Sequence, residues 1–132
     1  MPKNMENNEF LKSLADDTDG LVCYECLANN ISEITDPELT QLIDRMIAVD
    51  HNGQFLASTA KYLHAIDPAR FAQAIKTLVS ATIDKDREHR YLADLMAAIY
   101  GPDCLANADQ LTLTDNNFRR IYKRLYPKAN AI

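Results

Sequence analysis

An all-α fold is what this sequence predicts, on three observations. Apolar residues recur with a period near 3.6 through most of the chain, short polar or proline-containing junctions separate the periodic runs, and only three glycines occur in 132 residues. A β-sandwich needs many tight turns, so scarce glycine disfavours it, whereas helices on short loops need few. Connections of about two to five residues force consecutive helices into antiparallel hairpins, giving a compact bundle of about six or seven short to medium helices. On this reading 1–8 is a frayed N-terminal lead-in, 9–127 a single helical domain and 128–132 a C-terminal tail.

Taken in order, Phe10, Leu11 and Leu14 share one face of a short helix over Glu9–Ala15, which stops before the Asp16-Asp17-Thr18-Asp19-Gly20 turn. Leu21–Asn30 is apolar on several sides and reads as a buried helix. Thr35-Asp36-Pro37-Glu38 supplies a capping hydroxyl, an early proline and a glutamate three residues on, a helix-start signature. Leu39, Leu42, Ile43, Met46 and Ile47 then form one apolar face, and Gly53 of His51-Asn52-Gly53 is expected to close that helix in the left-handed conformation. Phe55, Leu56, Thr59, Ala60 and Leu63 carry the next helix to near Ile66. Asp67-Pro68 restarts the chain toward the stripe Phe71, Ile75, Leu78, Val79, and Ile83-Asp84-Lys85-Asp86 reads as a short polar junction, one bent helix through it being the alternative. Tyr91, Leu92, Leu95, Met96 and Ile99 make a further stripe ended by Gly101-Pro102. Residues 103–113 read as a loop or short helical turn anchored by Leu105, Leu111 and Leu113, and Thr114 as the N-cap of a last helix that Pro127 terminates.

Composition narrows the function classes. With 47% hydrophobic and 25% charged residues the chain is a globular protein rather than a disordered one. No apolar run approaches the roughly 18–20 residues needed to cross a bilayer, so no membrane association is expected. The N-terminus lacks the apolar core of a secretory signal, and three cysteines, an odd number, do not make a disulfide framework. A reducing compartment, the cytoplasm, is the expected location.

Charge is sorted along the chain. All nineteen acids lie in 1–117 against nine bases, a net of −10, while 118–132 holds five bases and no acid, a net of +5. Arg119, Arg120, Lys123 and Arg124 share the last helix with Phe118, Ile121, Tyr122 and Leu125. That apolar stripe packs, and the basic side then either neutralises the chain's own acids or meets a partner. At the other end, residues 1–50 hold eleven acids and three bases, with Asp16, Asp17 and Asp19 in one turn. A dense negative surface steers toward basic partners. The expected partner-binding residues are therefore Arg119, Arg120, Tyr122, Lys123, Arg124, Asp16, Asp17 and Asp19, and the expected partner is another protein. The opposed charges also permit a homodimer. A nucleic acid on the basic helix 118–128 is the alternative, with phosphates on the cations and bases stacked on tyrosines.

Other motifs have structural readings. Cys23-Tyr24-Glu25-Cys26 is a C-x-x-C, but no second ligand pair follows at a zinc-finger distance and no βαβ context surrounds it, so buried thiols are expected. Asp84, Asp86, Glu88 and His89 cluster where a helix start is expected, and acids there complement the helix dipole without a metal. No phosphate loop, nucleophile elbow or H-E-x-x-H is present, so no cofactor, metal or catalytic residue is assigned and a non-enzymatic protein is expected.

Arg45-Met46-Ile47-Ala48-Val49-Asp50-His51 resembles the R-x(4–6)-H element of HEPN ribonucleases, all-helical proteins that cleave RNA with Arg and His. The resemblance spans seven residues, and apolar Met46 stands where those enzymes usually carry a polar residue. It implies Arg45 on a phosphate and His51 moving the proton of a 2′-hydroxyl. An unbroken helix would set the two about 120° apart, so His51 must lie beyond the helix end and turn back.

Overall fold

The computed structural model describes residues 7–127. Residues 1–6 of the expected lead-in and the expected tail at 128–132 lie outside the described residues. Eight α-helices and one 3-10 turn occur among the described residues, with no strand. They are α1 (Asn7–Asp16), α2 (Leu21–Asn29), α3 (Asp36–Val49), α4 (Gln54–Ile66), α5 (Ala72–Lys85), α6 (Leu92–Tyr100), α7 (Ala108–Thr114) and α8 (Asn116–Leu125), the 3-10 turn being Cys104–Asn107.

Backbone contacts divide the chain into two compact units, residues 1–51 and 52–132, where the sequence reading treats 9–127 as one domain. In the first, α2 packs on α3 and α1, and α1 also touches α3. Leu27, Leu42 and Met46 are fully buried there, each contributing about 1.5–3 kcal/mol of hydrophobic stabilisation. The second unit is organised on the α4–α5 pair, with α6 on α4, and with α8 against α5, α6 and α7. Its core includes Leu56, Leu63, Leu78, Leu92, Leu95, Phe118 and Ile121, all without exposed surface.

Charge follows this division. Residues 1–51 carry eleven acids and three bases, a net of −8, and residues 52–132 carry eight acids and eleven bases, a net of +3. Together these give the chain's −5. The basic excess of the second unit comes from its last fifteen residues, since 52–117 carries eight acids and six bases, a net of −2.

The capping box forms as its residues require. Thr35 Oγ1 accepts the Glu38 N–H at 3.3 Å, and Glu38 Oε1 accepts the Thr35 N–H at 3.0 Å. Four local expectations are corrected. Gly53 is left-handed, with φ of 87°, but it precedes α4; α3 already ends at Val49, followed by extended Asp50. The polar junction at 83–86 is continuous with α5 through Lys85, because Ile83 is buried. Residues 103–113 are helical almost throughout, anchored by buried Cys104 and Ala108 rather than by leucines. Thr114 ends α7 and donates its hydroxyl to the Gln110 carbonyl at 3.0 Å, so Asp115 caps α8 instead.

Candidate protein-binding surface

Asp115 begins α8 by accepting the Phe118 N–H on Oδ1 at 2.9 Å, and the Tyr100 hydroxyl donates to the same oxygen at 2.8 Å. Burial, then the bond and charge of Asp115, push the Tyr100 phenol well above its ordinary range. Phe118 and Ile121 are fully buried, and the Asn117 carboxamide donates to the Lys76 carbonyl at 3.1 Å. These contacts fix α8 on α5 and α6 and set which of its faces stays outside.

An aromatic ladder follows from i, i+4 spacing on that helix. Tyr100 meets Phe118 edge-on with centroids 5.2 Å apart, Phe118 stacks on Tyr122 at 5.8 Å, and Tyr122 meets Tyr126 at 5.2 Å. Tyr122 is thus half-buried within the stack, and Tyr126 is exposed at its outer end.

The predicted basic residues separate into two groups. Arg120 reaches α5, donating to Ser80 Oγ at 3.1 Å and to Asp84 Oδ1 at 2.5 Å. With Asp84 mostly exposed, that pair contributes about 0–1 kcal/mol. Arg119, Lys123 and Arg124 are exposed and make no ion pair with a described carboxylate. Arg119 instead bonds Asn116, and Arg124 donates to the Arg120 carbonyl at 3.1 Å.

The acidic turn also separates. Asp17 is fully buried, accepting the N–H groups of Asp19 at 3.2 Å and Gly20 at 2.7 Å on Oδ1 and that of Cys23 at 2.8 Å on Oδ2. Burial alone would raise its pKa, but the hydrogen bonds from the Cys23 thiol and these amides outweigh it and hold the carboxyl below its ordinary 3.8. Asp17 therefore ties the start of α2 and offers nothing to a partner. Asp16 and Asp19 are exposed, although Asp19 Oδ1 accepts the Leu21 N–H at 3.0 Å. A second buried acid behaves alike: Asp86 accepts the N–H groups of Arg90 at 2.8 Å and Tyr91 at 2.7 Å. Within the acidic cluster at 84–89, Asp84, Glu88 and His89 are exposed as expected, and the correction is confined to Asp86 and to the position, which is the end of α5 rather than a helix start. Sequence reading missed both roles, although the polar D-x-x-G turn before an apolar helix was a signal for the first.

Cys23, Cys26 and Cys104 are all buried free thiols. Burial first, then the hydrogen bond and charge of Asp17, push the Cys23 thiol far up, which suits an inert buried thiol rather than a nucleophile. No group of three metal-ligating side chains occurs among the described residues. Arg45 Nη2 donates to the Asp17 carbonyl at 3.1 Å while its Nε is enclosed without a partner, and His51 is exposed beyond the end of α3. Arg45 thus braces the turn that Asp17 builds. No described helix is long and apolar enough to cross a membrane.

Comparison with protein-family models, with curated proteins and with solved structures returns no match.

Proposed function

We propose that this chain is a non-enzymatic protein-binding module, an adaptor, inhibitor or immunity-type regulator, whose α8 face docks on an acidic protein surface. One observation carries the reading: Arg119, Lys123 and Arg124 stand exposed on a firmly docked helix, with no described carboxylate neutralising them. Exposed Tyr126 lies beside them at the end of the aromatic ladder, and Arg with Tyr are residue types that anchor interfaces. The buried thiols suit a reducing compartment, and the cytoplasm is the proposed location.

The test is a charge reversal, Arg119→Glu with Lys123→Glu and Arg124→Glu. Captures from source lysate at low salt should retain a stoichiometric protein on the native chain and lose it on the triple variant. The variant should remain folded, within about 0.5 kcal/mol, because the changes are at the surface. Equal capture by both proteins, or no stoichiometric protein on either, refutes the proposal. A nuclease-sensitive complex would assign the same face to nucleic acid instead.

A further inference from the structure

Within residues 52–132, a cleft of about 450 Å³ lies beside the start of α8, inside the roughly 300–1,000 Å³ range of small-molecule pockets. Ile75 and Val79 of α5 and Ile99 of α6 give it an apolar wall, and Lys76, Tyr100, Asp115 and Asn117 supply the polar groups. Asp115 and Asn117 each leave an acceptor unused, while Lys76 leaves its ammonium donors. The Tyr100 hydroxyl and the Phe118 N–H both take Oδ1 of Asp115, so Oδ2 has no partner among the described residues. A main-chain carbonyl only accepts, so the Asn117 atom meeting the Lys76 carbonyl is Nδ2, and Oδ1 remains as a second acceptor. Asn117 is only 8% exposed, which holds that acceptor in one place. Lys76 is itself exposed and makes no ion pair with a described carboxylate.

A carboxylate oxygen and a carboxamide oxygen together call for a ligand rich in N–H donors, and an ammonium supplies three. The apolar wall calls for an aliphatic body next to it. Lys76 repels a second cation and matches an anion, which separates a zwitterion from a simple amine or a polyamine. We propose that this cleft binds a small aliphatic α-amino acid, its ammonium on Asp115 and Asn117, its carboxylate on Lys76 and its side chain on Ile75, Val79 and Ile99. The site is independent of the exposed cations of α8.

Amide chemical shifts of the full chain, titrated with L-leucine, isopentylamine (lacking the carboxylate) and isocaproate (lacking the ammonium), test the assignment. Leucine should give saturable shifts at residues lining the cleft, and each analogue should bind about tenfold or more weakly. Asp115→Asn keeps an oxygen to cap α8 but removes the charge, and should weaken leucine about 10- to 100-fold. Lys76→Met, at an exposed position that leaves the fold intact, should reduce leucine to the affinity of isopentylamine. The proposal is overturned by an absence of saturable leucine shifts, by unchanged leucine affinity in either variant, or by isopentylamine equalling leucine on the native chain.

Discussion

Replacing Asp17 by alanine should destabilise the α1–α3 unit by about 2–4 kcal/mol. The carboxylate satisfies three backbone N–H groups, and the bonds from Gly20 and Cys23 are buried. A buried donor left unsatisfied costs about 1–3 kcal/mol, so two of them set the expected range, while the partly exposed Asp19 amide recovers a bond to water. Removing a desolvated charge offsets a part of that loss. Urea unfolding of both proteins measures the difference, provided the slope m is unchanged. Amide exchange gives a local reading, since the Gly20 and Cys23 amides should lose protection first. A loss below about 1 kcal/mol at equal m, or an equally protected Cys23 amide, would refute the account of Asp17 as the brace of α2. A carboxyl held below 3.8 stabilises the fold at pH values above that, and the contribution is lost as pH falls further. Asp17→Asn should therefore be less stable near neutrality and should lack that part of the acid loss.

Two further stability predictions rest on the second unit. Gly53→Ala forces a side chain to φ of +87° and places its Cβ 3.3 Å from Thr82 Cγ2; the cost should be about 1–2 kcal/mol or more in a thermal melt, and an unshifted melt would contradict it. Tyr100→Phe removes the bond to Asp115 and should cost about 1 kcal/mol. Because the phenol is raised above its ordinary 10.0, its contribution is complete below that pH and declines as pH rises through the alkaline range. The phenylalanine variant should lose this decline and keep the one that starts near 9.0 from the raised Cys23 thiol, as pH-dependent urea midpoints would record.

Much of the helical layout was legible from local signals. The α3 boundaries follow from Thr35, Pro37 and Glu38 with the stripe Leu39, Leu42, Ile43, Met46, because capping and periodicity act within one or two turns. Residues 104–114 were not legible. Their apolar markers mislead, since Leu105 and Leu113 are exposed while small Cys104 and Ala108 make the buried contacts. The acidic turn failed for another reason: Asp16, Asp17 and Asp19 look equivalent as letters, yet only Asp17 meets the converging amides of Gly20 and Cys23.

The basic helix shows the same boundary between sequence and tertiary structure. Composition and period alone determined that 118–125 is amphipathic, that Phe118 and Ile121 pack, and that four cations share the helix, because each of these is a property of neighbours along the chain. Which cations remain available was decided by tertiary structure. Arg120 is paired because Ser80 and Asp84, 40 and 36 residues away, are brought beside it, whereas Arg119, Lys123 and Arg124 meet no described acid. An ion pair depends on a distance of a few ångströms between side chains, and that distance is set by helix packing rather than by separation in sequence.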